Sequence, residues 1–176
     1  MKIFKAVSMV LVVSVSSAHA EETLENQWVS KQFDEDEVHV FVNGEITQGD
    51  QLKIRLVKGD CELGNLTTTF ITYSDNPRLS NLADQYVQAN FMGEKVTVLI
   101  LFTIPFLNAH MAWVDLNWVP LDSLKSILSR KDPITMELLD TEEFRSSDYF
   151  DILENNWSNI GLVGVLDEGL KICREM

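Results

Sequence analysis

Residues 37–58 read EVHVFVNGEITQGDQLKIRLVK, and the fold class turns on them. Val38, Val40 and Val42 alternate with Glu37, His39 and Phe41; further on, Leu52, Ile54 and Leu56 alternate with Lys53 and Arg55. A period of two places every second side chain on one face, so both stretches predict half-buried strands. Asn43-Gly44 between them is a hairpin signal, because both residue types accept positive φ. A two-residue turn there would pair Phe41 with Ile46 on the face opposite the valines. Either both faces are then partly covered, or the turn is longer than two residues.

Outward from this core the strand pattern continues. Gly59-Asp60 ends the second strand just before Cys61, and the threonine-rich stretch 66–73 has high strand propensity. Asp75-Asn76-Pro77 reads as a turn. Residues 80–87 fit a short helix through Leu82, Ala83, Tyr86 and Val87, while 86–91 fit a strand equally well. The β-branched apolar run 96–103 predicts a central strand buried on both faces. At 110–119, Ala112, Val114, Leu116 and Trp118 alternate with Trp113, Asp115 and Asn117. Asp122 is placed to cap a helix over 123–130, with Leu124, Ile127 and Leu128 as its stripe, and Lys131-Asp132-Pro133 stops it. Short strands are expected at 135–139 and 149–153. A closing helix over about 160–174 carries Leu162, Leu166, Leu170 and Cys173 on one side. The class that follows is α+β: a strand-rich antiparallel sheet or sandwich with two or three helices.

The N-terminus carries an address. Lys2 and Lys5 precede an apolar run over 7–15 broken by Ser8 and Ser14, and Ala18-His19-Ala20 supplies a small-x-small cleavage signal. Residues 1–20 are therefore expected to be a bacterial-style secretory leader, and 21–176 a single globular periplasmic domain. No cysteine stands at the cut to accept a lipid, and the apolar run 96–107 is too short, and too interrupted by proline, to cross a bilayer. In an oxidising compartment Cys61 and Cys173 are expected to pair and tie the C-terminal helix to the strands. A redox-active pair would need closely spaced cysteines, and there is no CxxC.

The net formal charge is −13, and loss of a leader holding Lys2, Lys5 and no acidic residue takes it to −15. Such a field repels phosphate backbones and anionic headgroups, which argues against nucleic acid and membrane surfaces. It favours encounter with a basic protein or a cationic ligand. Catalytic motifs are missing: there is no GxSxG, no HExxH, no P-loop lysine beside Gly161 and Gly164, and His39 and His110 lie far apart. The acidic run Asp34-Glu35-Asp36-Glu37 has His39 where a calcium loop needs glycine, so it reads as a solvated edge. No catalytic set, metal site or cofactor is assigned. Two clusters remain for recognition. One is Trp113 with Asp115 and Asn117 on a strand; the other is Asn156 and Trp157 in a loop, an indole among hydrogen-bonding side chains in each case. The alternative is that both tryptophans pack beneath neighbouring elements.

The leader, the early Cys61 and the ending Gly161-Leu162-Val163-Gly164-Val165-Leu166 with Cys173 resemble the periplasmic accessory proteins of type VI secretion clusters (the VasI/TagO type). That resemblance implies a terminal cysteine tied to one on an early strand, and a small accessory or interaction protein of the envelope; it supplies no catalytic residues. The expected function is a non-enzymatic protein-binding module, either an immunity or inhibitor protein for a basic toxin or hydrolase, or a secretion accessory. An envelope glycan hydrolase would instead pair Asp115 with Glu142, Glu143 or Asp148 as acid and base.

Overall fold

The alternating stretch becomes two adjacent antiparallel strands, β2 (Glu37–Asn43) and β3 (Gln51–Val57), with Val38 opposite Leu56, Val40 opposite Ile54 and Val42 opposite Leu52. All six are fully buried. The computed structural model describes residues 27–176, so the leader expected at 1–20 lies outside the described residues. The Asn43-Gly44 signal does not make a two-residue turn. Asn43 pairs with Gln51, Phe41 faces Lys53 instead of Ile46, and the turn spans residues 44–50. Asp50 organises it: its carbonyl accepts the Gly44 N–H at 2.8 Å and its carboxylate accepts the Thr47 N–H at 3.2 Å.

Before these strands comes β1 (Val29–Gln32), and after them β4 (Leu63–Thr72), β5 (Gln85–Phe91), β6 (Glu94–Phe106) and β7 (Ala109–Pro120). The helix α1 (Leu121–Leu128), β8 (Ile134–Leu138), β9 (Glu154–Trp157) and α2 (Leu162–Glu175) complete the described chain. The nine strands of the described residues form one antiparallel curled sheet, in the order β1-β2-β3-β4-β7-β6-β5-β8-β9. Two meanders thus meet where β4 pairs with β7. The edges curl toward each other: the Trp28 indole N–H donates to the Ser158 carbonyl at 2.7 Å, and the Glu45 N–H to that of Asn156 at 3.2 Å.

Inside the curl, α2 lies on β1–β3. Leu162, Leu166, Gly169 and Cys173 form its buried stripe, so the stripe passes through Gly169 where Leu170 was expected. The glycine permits close approach: a Cβ there would stand 2.5 Å from Val40 Cγ2. α1 buries Leu121, Leu124 and Leu128, and Lys125 pairs with Asp167 across to α2. Cys61 and Cys173 are joined as a disulfide with Cα atoms 5.9 Å apart, 112 residues apart in sequence. Closing a loop of that length restricts the unfolded chain by about 4–5 kcal/mol in the chain-entropy account.

Several local expectations change. Residues 80–87 are no α-helix: a 3-10 turn over Pro77–Asn81, capped by Asn76, leads into β5. The strand expected at 149–153 forms later, as β9. α1 begins at Leu121 after Pro120, so Asp122 sits in its first turn without capping it. Of the run 96–103 only Val98 and Ile100 are fully buried; the other face of β6 is open. Among the described residues no helix is long and apolar enough to cross a membrane, and no three His, Cys, Asp or Glu side chains gather as a metal site would require.

Candidate functional site

The outer face of the sheet carries the candidate site, and two β-bulges build it. Pairing between β4 and β7 slips between Thr67–Asp115 and Asn65–Trp118, so Leu116 and Asn117 together oppose Leu66. Asn117 takes the left-handed conformation (φ 86°), and its side-chain oxygen accepts the Trp118 N–H at 2.8 Å. A bulge inserts one residue and reverses the facing of everything beyond it. Trp118 therefore stands on the same face as Trp113 and Asp115, not with Ala112 and Val114 as simple alternation predicted. The second bulge, between Ile100 and Phe102 of β6, sets Phe102 opposite Trp113, and the rings stack at 5.4 Å.

From the neighbouring meander, β3 sends cations over these rings. Lys53 Nζ lies 4.3 Å from the centre of the Trp113 ring, and the Arg55 guanidinium 5.1 Å from that of Trp118. Such contacts contribute about 0.5–1 kcal/mol each at partly exposed sites. Arg55 also donates to Glu37 at 3.0 Å, and His39 bonds Glu37 at 3.2 Å while stacking on Phe33. Burial pushes the Lys53 ammonium below its ordinary value, with Glu37 opposing and Arg55 adding to the shift. Burial likewise lowers the His39 imidazole, against its hydrogen bond to the Glu37 carboxylate. Asp115 is held in place: its Oδ1 accepts the Asn65 side-chain N–H at 2.8 Å and the Asn117 N–H at 2.9 Å.

Tyr86, Phe102, Ile104 and Trp118 are exposed on or beside this face, and Leu107 is exposed at the tip of the β6–β7 hairpin. The result is a band of aromatic edges with two cations laid across it. At its centre the two cations stand beside the carboxylates of Glu37 and Asp115.

No family model, no characterised protein and no solved structure matches the chain. Function is therefore read from the residues themselves.

Trp113, Asp115 and Asn117 come together as expected, with Asn117 serving the bulge. Asn156 and Trp157 do not join them. They lie on strand β9, four strands away around the sheet, not in a loop. Trp157 is completely buried against the core, so it offers nothing to a partner. Asn156 is half-buried, its carbonyl engaged by Glu45. Of the carboxylates considered for glycan hydrolysis, Asp148 stands apart from Asp115. Asp115 faces Thr67, whereas the Asp148 carbonyl accepts from Asn76, beyond the end of β4 at Thr72. Residues 67–72 of an extended strand alone cover roughly 16 Å, against about 5–9.5 Å between paired glycosidase carboxylates.

Lys53, Arg55, Asn65, Phe102 and Trp118 belong to the site and were not anticipated. The alternation of 51–58 marked Lys53 and Arg55 as outward, but their partners depend on strand order and on bulges that a period of two does not reveal.

Proposed function

We propose that the chain is a non-enzymatic protein-binding module of the bacterial periplasm, and that it docks through the outer face of β3, β4, β7 and β6. The observation that carries this reading is the ladder of Trp113, Trp118 and Phe102 with Lys53 and Arg55 laid over the indoles. Rigid aromatic rings with a polar tip give large contact area at small entropic cost, and Trp and Arg are the residues most enriched where binding energy concentrates. The leader read at 1–20 and the disulfide support export.

The net charge of −15 would speed encounter with a basic protein. The cations at the centre then favour aromatic, apolar or acidic groups on the partner at the point of contact, with its basic groups toward the periphery. An immunity or inhibitor role and a secretion-accessory role both suit this surface, and the identity of the partner separates them.

The test is affinity capture from a periplasmic extract with the leaderless chain, Trp113→Ala, Trp118→Ala and the distant exposed variant Ile160→Ala. The expected result is a protein retained by the parent and by Ile160→Ala, and lost from both tryptophan variants while their circular dichroism is unchanged. Retention by all four, or no retained protein at all, overturns the proposal.

A further inference from the structure

At the opposite side of the sheet from the tryptophan ladder, the concave face keeps a cavity of about 360 Å³. Helix α1 roofs it with Leu124 and Ile127; Val96 and Val98 of β6 and Leu66 of β4 form its floor. The β7 bulge that turns Trp118 outward also shapes this side, where Leu116 and Val119 line the cavity. The volume falls within the range of small-molecule pockets, which are mostly apolar with a few polar groups fixing orientation. Here those groups stand at the rim: Arg130 and Lys131, just beyond α1, and Glu94 at the β5–β6 turn. Among the described residues neither Arg130 nor Lys131 makes an ion pair. With Glu94 counted, the rim keeps an excess of one positive charge, within a chain whose overall charge is −13.

We infer that this cavity is a second binding site, distinct from the protein-docking face, and that it takes a linear fatty-acid anion, chain inward and carboxylate at Arg130 and Lys131. An apolar interior excludes a polar ligand, because its hydrogen-bonding groups would be buried without partners. The unpaired cations select a negative head over a neutral or positive one, and a planar guanidinium matches a carboxylate in two parallel hydrogen bonds. The acidic chain repels anions at long range, so the head is held by local contact and not by steering.

Binding is read by calorimetric titration of the leaderless chain with hexanoate, octanoate, decanoate and dodecanoate, and with the alkylammonium and alkanol of matching length. Each added methylene is expected to tighten binding about fourfold until the cavity is full, after which affinity levels off. At equal length the alkanoate is expected to bind about tenfold or more tightly than the alkylammonium, as one or two charge-assisted bonds provide. Arg130→Gln with Lys131→Gln should erase that head-group preference and keep the dependence on chain length. Ile127→Trp, which fills the cavity from a half-buried position on α1, should abolish binding while circular dichroism and thermal midpoint confirm the fold; Leu116→Phe serves the same purpose from the sheet side. Absence of binding by every alkanoate, affinity independent of chain length, equal affinity for the alkylammonium, or undiminished binding in both filled variants that fold would each overturn the inference.

Discussion

Two glycines of α2 make opposite demands on the same substitution. A Cβ added at Gly164 would point into open space with nothing within 4 Å, whereas one on Gly169 would lie 2.5 Å from Val40 Cγ2, with Leu56 and Val38 carbons at 3.6 and 3.7 Å. Alanine is favoured over glycine in a helix by up to about 1 kcal/mol. Gly164→Ala should therefore stabilise the protein by up to about 1 kcal/mol. Gly169→Ala gains the same propensity but forces a contact roughly 1 Å closer than the optimum for two carbons. Because Val40 is fully buried in a strand paired on both sides, neither partner yields freely, and overpacking of this kind costs about 1–3 kcal/mol. The propensity gain is common to both, so their difference isolates the clash: about 1–3 kcal/mol in favour of Gly164→Ala. Urea unfolding of the oxidised protein gives the two midpoints, and an unchanged slope licenses their comparison. Val40→Ala in the Gly169→Ala background should recover part of the loss, giving a coupling of at least about 0.5 kcal/mol. If Gly169→Ala stabilises as much as Gly164→Ala, α2 does not sit on β2 at the close approach described above.

Other outcomes follow from the same structure. Replacing Cys61 and Cys173 together by serine should lower stability by about 4–5 kcal/mol, visible as a lower thermal midpoint in the variant and in the parent under reductant; an unchanged midpoint would refute the staple. Asp50 is fully buried and burial raises its carboxyl above the ordinary aspartate value, against the lowering bonds from Thr47. A raised folded value means its contribution is complete at pH below the unfolded value and is lost as pH rises through the folded one. Asp50→Asn should consequently be more stable than the parent at pH 7, with the advantage shrinking toward pH 4; an advantage independent of pH would rule this out. Asn117→Gly should keep the bulge and stability within about 0.5 kcal/mol, while Asn117→Val, β-branched at positive φ, should cost about 1–3 kcal/mol in thermal unfolding. Equal effects would mean that the left-handed turn is not needed there.

The strands around the two alternating stretches, the C-terminal helix and the Cys61–Cys173 pairing were legible, because each depends on periodicity or on residue type alone. The bulge at Leu116–Asn117 was not. A period of two read straight through 110–119 assigns Trp118 to the wrong face, and only the pairing with Asn65 reveals the extra residue. Trp157 was misplaced for a different reason: Asn155 and Asn156 have turn-like composition, yet β9 buries Asn155 and Trp157 on its inner face, where Asn155 donates to the Thr69 carbonyl. The Asn43-Gly44 signal lost to Asp50, whose carboxylate builds a longer turn. Of the candidate site, Trp113 and Asp115 were visible, while the cations above the rings come from a strand more than fifty residues earlier. The cavity left no trace in the sequence, since residues from four strands and a helix line it.

The meeting of the two meanders at β4 and β7 makes the tryptophan ladder a composite surface. Lys53, Arg55 and Asn65 arrive from one half, Trp113, Trp118 and Phe102 from the other, so neither half excised alone would display it. A ligand gripping both sides would act as a clamp across the join. Its occupancy should be written in the backbone as slower amide exchange along 63–72 and 109–120 than anywhere else in the sheet.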